Sequence, residues 1–369
     1  MSKAACRAPF LAIGVLSMAC GAWLGLLRLG WNLPLPWPDQ LAAHGPLMVC
    51  GFLGTLIGLE RAVAIGSRWA YAAPPATAAG ALLIDFGPSR AAGPLFVTAG
   101  SVVAVAMFAV ICRRQPSLFA FTMALGSVAW AVGNAWWLAG AGIFRVVFWW
   151  IAFLVLTIAG ERLELNRVLR PTRAVRLTFA VAIALVLGGA GLTVQRPEIG
   201  VRTLGAGLVV LTWWLARYDV ARRTIRQRGL ARFMATCLLA GYGWLGVGAV
   251  LALISDGATA GPRHDAMQHA IFLGFVMSMV FAHAPVIFPA VLGVPLEYRP
   301  AFYLHAAVLH VSLILRVVGD LVESLGRWRV WGGLLNAAAL LLFAVNTASS
   351  IGTTRPLRFR RRSIAENYR

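Results

Sequence analysis

The chain has 369 residues, of which 60% are hydrophobic and 12% are charged, and its formal net charge is +20. A water-soluble domain of this length cannot enclose so much apolar surface, so the composition excludes a soluble globular protein and favours a polytopic membrane protein surrounded by lipid. The positive charge does not indicate a nucleic-acid partner, because the arginines cluster at the ends of apolar segments, where they act as topology signals.

Twelve apolar segments follow one another along the chain, each close to the length of about 20 residues that a membrane-crossing helix needs. The connections are short, so consecutive helices are expected to pack antiparallel in one all-α bundle. This transmembrane domain is predicted over residues 1–353, followed by a basic cytoplasmic tail over 354–369. The predicted crossings are 9–28, 42–62, 69–87, 92–112, 117–141, 143–165, 175–194, 199–216, 232–254, 266–290, 300–321 and 329–350.

The distribution of lysine and arginine predicts the orientation of these helices. With the N-terminus in the cytoplasm, the inner connections and both termini hold 24 basic residues, whereas the outer loops hold eight. Cytoplasmic loops of membrane proteins carry an excess of Lys and Arg. We therefore expect both termini to be cytoplasmic, as an even number of crossings requires.

Histidines are concentrated in a small part of the chain. Five of the six fall inside or at the ends of the second, tenth and eleventh crossings. Ionisable residues in a membrane segment usually face the bundle interior and mark a functional site. The five candidates are His44, His269, His283, His305 and His310.

The positions of these histidines along their helices predict two groups at different depths. His44 and His269 each lie near the outer start of a crossing, and two histidines facing each other across a bundle can hold a haem iron axially. His283 lies about 21 Å further along the tenth crossing, and almost four full turns of helix place it on the same helix face as His269. It would form an inner group with His305, and His310 lies about 7.5 Å beyond His305. Neighbouring imidazoles suit copper, although any one of them could instead hydrogen-bond to a neighbouring carbonyl.

Charged pairs inside the membrane segments add further candidates. Glu60-Arg61 and Glu161-Arg162 end two crossings at the inner face. Adjacent residues on a helix point in different directions, so each carboxylate is expected to pair with another segment. A proton-input role for Glu60 is an alternative.

An arginine in the eleventh crossing is a further candidate for the outer site. Arg316 either pairs with Asp320, four residues later, or binds a haem propionate. His264, beside Asp265 in the loop before the tenth crossing, is expected at the surface.

Twelve helices with histidines on the second and tenth resemble subunit I of the haem-copper oxidases, in which these two helices hold the low-spin haem. Two stretches are similar to the NnrS family, twelve-helix bacterial inner-membrane proteins that contain haem and copper and are linked to the nitric oxide response. The matching residues are His44, Met48, Gly51, Gly54, Thr55, His269, Ala270, Gly274 and Met279.

The resemblance implies that His44 and His269 are axial ligands of haem b, with copper as a second cofactor, in a bacterial inner membrane. It also implies a role in the nitric oxide response or in electron transfer from a donor protein. If the chain is an enzyme, it would be a haem or copper oxidoreductase acting on a small diatomic gas. The chain lacks the histidines on the sixth and seventh crossings that an oxidase copper centre needs.

Two other functions fit the same histidines. A transporter or metal-handling permease could pass copper or protons along histidines and methionines without any haem. An assembly or scaffolding subunit could use them only for hydrogen bonds between helices.

Overall fold

The protein is an all-helical membrane bundle, described by a computed structural model over residues 3–34, 38–87, 89–169 and 171–351. Within these residues no β-strand is present, and one isolated bridge joins Leu296 to Ile351. All of these described residues fall within the predicted transmembrane domain, 1–353. The predicted basic tail, 354–369, lies outside the described residues.

Within the described residues, twelve long helical rods can be followed in chain order, and we number them α1 to α12. Their bounds are Lys3–Arg28 (α1), Gln40–Ile65 (α2), Ala73–Phe86 (α3), Ala92–Arg114 (α4), Leu118–Leu138 (α5), Ile143–Asn166 (α6), Arg173–Leu192 (α7), Pro197–Tyr218 (α8), Leu230–Leu253 (α9), Pro262–Leu292 (α10), Phe302–Leu321 (α11) and Gly326–Ser350 (α12).

Eleven of the described helices are long and apolar enough to cross a membrane, so the chain is a multi-pass membrane protein. The exception among the twelve predicted crossings is α3, which has 14 residues. It corresponds to a length of about 21 Å. A 3₁₀ segment of five residues, Arg68–Ala72, precedes it and adds about 10 Å.

Local sequence signals begin and end several of these helices. The hydroxyl of Ser117 accepts a hydrogen bond from the backbone N–H of Ala120 and caps α5. Gly66, with φ of 72°, ends α2, and Gly293, with φ of 68°, ends α10. Both adopt the left-handed conformation that glycine tolerates best. The closest pairs, α5 with α6, α11 with α12, α7 with α8 and α3 with α4, are consecutive antiparallel neighbours.

Three helices form the centre of the bundle. The apolar segment is 78% buried in α6, 72% in α10 and 61% in α2, more than in any other span; α5 follows at 56%. Both α2 and α10 contain an eight-residue π-helical stretch, Leu47–Gly54 and Ala270–Met277. Such stretches are rare and often mark functional sites. Each follows directly on a short α-helical segment that carries one of the outer histidines.

Candidate functional site

His44 and His269 meet inside the bundle. The ring centroids of His44 on α2 and His269 on α10 are 6.3 Å apart, and the ring planes differ by 19°. The prediction that these two imidazoles face each other at one depth is confirmed. Their role as ligands stays a prediction.

Backbone carbonyls hold both rings in place. Nδ1 of His44 lies 2.6 Å from the carbonyl oxygen of Gly21, and Nδ1 of His269 lies 2.8 Å from that of Asp265. A carbonyl can only accept, so each Nδ1 carries the proton and donates it. Nε2 of each neutral ring then keeps its lone pair for a ligand bond, the arrangement found in most metal-binding histidines.

A cavity of about 870 Å³ surrounds the histidine pair. This volume lies within the range of about 300–1,000 Å³ that is usual for small-molecule and cofactor sites. Its wall combines aromatic and aliphatic side chains with a few cationic and polar ones. Residues that line it include Met48, Trp137, Trp150, Phe272, Arg28 and Asn336.

An ion pair joins this cavity to one of the histidines. Nη2 of Arg316 on α11 donates to Oδ2 of Asp265 at 2.7 Å, and Oδ1 of Asp265 lies 3.4 Å from Nδ1 of His269. The predicted pairing of Arg316 with Asp320 is therefore wrong, because Asp265 on another helix takes its place. Asp320 instead lies 3.8 Å from Nε of Arg329.

The wall of the cavity can bind an anionic group. Arg28, Arg316 and Arg329 all line it. Nε of Arg316 and Nδ2 of Asn336 are buried and have no hydrogen-bond partner among the described residues. An amphipathic ligand with carboxylates at one end and a metal at its centre would satisfy these donors and the imidazoles together.

His264 also belongs to this cavity, and the expectation that it is a surface residue is wrong. It is half-buried and lines the wall, with its ring centroid 5.9 Å from that of Phe148. The helix begins at Pro262, before His264, so this residue lies in α10 itself and its side chain reaches the cavity.

Two glycines of α1 let that helix approach His44. A Cβ added at Gly25 would lie 3.0 Å from both Cε1 and Nδ1 of the His44 ring, and one added at Gly21 would lie 2.9 Å from Cγ of Met48. Sequence reasoning did not single out either glycine, although they lie four residues apart on one helix face.

We expect Gly25→Val to displace the His44 ring and to destabilise the protein by about 1–3 kcal/mol, because the added side chain overfills a packed contact. Thermal unfolding in detergent measures the effect. Gly188→Val is the control, since a Cβ there meets nothing within 4 Å. Equal stability of the two variants would contradict the packing argument.

The other three candidate histidines have different surroundings. Nδ1 of His283 lies 2.8 Å from the carbonyl oxygen of Met279, and its Nε2 lies 3.5 Å from Nη1 of Arg162. Nδ1 of His310 accepts from the indole N–H of Trp244 at 3.1 Å.

His305 is enclosed by aromatic rings, with the nearest centroid, that of Phe281, 4.7 Å away. Its Nδ1 lies 3.2 Å from Nδ2 of Asn346. No group of three or more potential metal ligands occurs in the described ranges. The inner group predicted from His283, His305 and His310 is therefore not assembled there as a three-ligand site, and we assign none of the three as a ligand.

The predicted shared face of His269 and His283 also needs correction. That prediction assumed an uninterrupted α-helix, in which 14 residues make almost four full turns. The π-helical stretch between the two residues under-winds α10. His269 faces His44 on α2, whereas His283 contacts Arg162 on α6.

Comparisons with known proteins add one finding about the whole chain. No curated protein matches the sequence. A family model described as a domain of unknown function (DUF8744) matches residues 7–351, which include every helix that lines the histidine cavity. The match covers most of the chain, and the protein therefore belongs to the DUF8744 family.

Proposed function

We propose that this protein binds haem b in a bacterial inner membrane, with His44 and His269 as the two axial ligands. The observation that carries the proposal is the pair of half-buried imidazoles, each held through Nδ1, with neither Nε2 hydrogen-bonded to any of the described residues. The resemblance of both histidine stretches to the NnrS family supports it as well. The cations along the cavity wall supply a place for the two propionates.

The separation of the rings supports shared ligation of one iron. A metal–imidazole bond is about 2.0–2.1 Å long, and the ligating nitrogen lies about 1.1 Å from its ring centre. Two imidazoles on opposite sides of one metal therefore have centroids about 6.3 Å apart. The observed separation of His44 and His269 is 6.3 Å, and their planes are nearly parallel.

Contacts between the two histidines and other protein groups would hold these ligands in position. The backbone carbonyl of Asp265 accepts a hydrogen bond from Nδ1–H of His269, and the carboxylate of Asp265 binds Arg316. Contacts of this kind orient the ring and raise its basicity toward a metal. Arg28, Arg316 and Arg329 would bind the propionate carboxylates.

Bound in this cavity, haem would supply one-electron redox chemistry. If both His44 and His269 hold the haem iron, electron transfer would be the role that this ligand set favours. A role in nitric oxide chemistry would require one imidazole to leave. With the proposed orientation, both termini are cytoplasmic and the histidine cavity lies in the outer half of the membrane.

Copper handling by a permease is the second candidate, because Met48 lines the same cavity as the two histidines. A thioether and two imidazoles form a ligand set that suits Cu(I). This candidate predicts metal-dependent uptake by proteoliposomes and a protein without a visible chromophore.

An optical spectrum tests the proposal directly. We expect protein expressed with ample haem and purified in detergent to show a Soret band and the spectrum of a low-spin bis-imidazole iron, with one iron per chain by metal analysis. Purified protein that lacks a Soret band would refute the haem assignment. Bound copper together with copper uptake over that of empty vesicles would establish the permease instead.

A further inference from the structure

A second cluster of charged side chains lies at the opposite end of α2, α6 and α10 from the paired histidines. Glu60 follows His44 by 16 residues on α2, and His283 follows His269 by 14 residues on α10. These spacings correspond to about 20 Å along each helix. The cluster is therefore separate from the proposed haem ligands.

One arginine of the cluster is fully used by a buried ion pair. Nε and Nη2 of Arg162 donate to Oδ2 and Oδ1 of Asp219 at 2.7 and 2.8 Å. The side chains are 3% and 0% exposed. This two-bond contact balances one positive charge against one negative charge, so the Arg162–Asp219 pair adds no net charge to offset the neighbouring glutamates.

The remaining arginine faces two carboxylates. Arg61 donates to Oε1 of Glu161, and the same guanidinium lies 3.4 Å from Oε1 of Glu60. The expectation of a partner on another segment is thus confirmed for Glu161 and wrong for Glu60. One cation beside two half-buried carboxylates, each with a side chain 27% exposed, leaves an excess negative charge, which is costly within a membrane bundle.

A small cavity adjoins these carboxylates. It has a volume of about 60 Å³, is lined by Glu60, Glu161 and His283, and is otherwise mostly apolar. One water molecule needs about 10–15 Å³ of such volume, so the cavity has room for a few water molecules. Nε of Arg61 is buried and has no partner among the described side chains. Leu53 lines both this cavity and the histidine cavity.

We propose that Glu60 and Glu161 share one exchangeable proton beside Arg61, which makes this cavity a proton-binding site. Two carboxylates around one cation keep a neutral total charge only when one of them is protonated. The charged and titratable groups packed around the site come from α2, α6, α9, α10 and the α8–α9 connection. They are Glu60, Arg61, Glu161, Arg162, Glu164, Asp219, Tyr242 and His283.

Infrared spectroscopy of the full-length protein in liposomes tests this inference without any haem. We expect a carbonyl band from a protonated carboxylic acid that shifts in D₂O. Glu60→Gln and Glu161→Gln should each abolish the band, because either change leaves one carboxylate balanced by Arg61. If the proton is bound to one glutamate alone, the carbonyl band should persist when the other glutamate is replaced. That result would overturn the shared site.

Difference spectra against the wild-type protein remove bands from other buried acids. Glu198→Gln is the matched control, since Glu198 is 53% exposed and pairs with Arg202 on the surface, and its difference spectrum should be flat. A melting temperature within the error of the wild type shows that the variants are folded. A double variant, Glu60→Gln with Arg61→Gln, keeps the single charge of Glu161 without its cation and should restore a band. An unchanged carbonyl region in both single variants would refute the proposal.

Discussion

His44→Gly should convert the low-spin spectrum of the haem-loaded protein to that of a five-coordinate, high-spin iron, with His269 as the remaining ligand. Removing an axial ligand should also lower haem affinity by about 100-fold. The deleted side chain leaves a space the size of imidazole beside Gly25 on α1. Free imidazole should therefore enter it and restore the low-spin spectrum, which a spectrophotometric titration measures.

His310→Gly is the control for that experiment. His310 is a half-buried histidine of α11, but its Nδ1 accepts from Trp244 and it does not line the histidine cavity. We expect the spectrum of haem-loaded His310→Gly to equal that of the wild type. A low-spin spectrum that persists in His44→Gly without added imidazole would show that another residue holds the iron.

The largest expected loss of stability comes from breaking the Arg162–Asp219 pair. Asp219→Ala leaves a buried guanidinium without its counter-ion, which typically costs about 3–5 kcal/mol. The variant should unfold at a much lower temperature in detergent. Adding Arg162→Met should recover much of this loss, because no unpaired charge then remains.

The surface pair of Arg202 and Glu198 provides the comparison. Its side chains are 49% and 53% exposed, and exposed pairs contribute about 0–1 kcal/mol. Glu198→Ala should therefore change the melting temperature little. If Asp219→Ala is no more harmful than Glu198→Ala, the buried pair does not stabilise the fold as proposed.

Much of the architecture could be predicted from apolar segment length, because lipid leaves few alternatives to a helix. The segments with clear charges at both ends match the observed spans closely. The third crossing is less regular, since Arg68–Ala72 adopts a 3₁₀ conformation before α3 begins. Hydropathy does not distinguish 3₁₀ from α winding.

The meeting of His44 and His269 could be predicted because both lie near the start of two helices that are expected to run in the same direction. The partner of Arg316 could not be predicted from the sequence, since Asp265 and Asp320 are both within reach of a long side chain. Only packing decides between them. Asp265 did carry a signal, because it precedes His269 by four residues on one helix. Asp219 carried no such sequence signal, because nothing in the α8–α9 connection marks it as buried.

The π-helical stretches have a consequence for how the two ends of each helix are related. In a uniform α-helix, His44 and Glu60 would lie about 160° apart around the axis. One extra residue in a wide turn removes about 100° of this rotation, which brings both side chains toward the same side. A single-residue insertion or deletion in Leu47–Gly54 would thus rotate the end of α2 that carries His44 relative to the end that carries Glu60. Within the family, the rotation between the two ends of α2 can therefore differ from one member to another, while the side chains at each end stay the same.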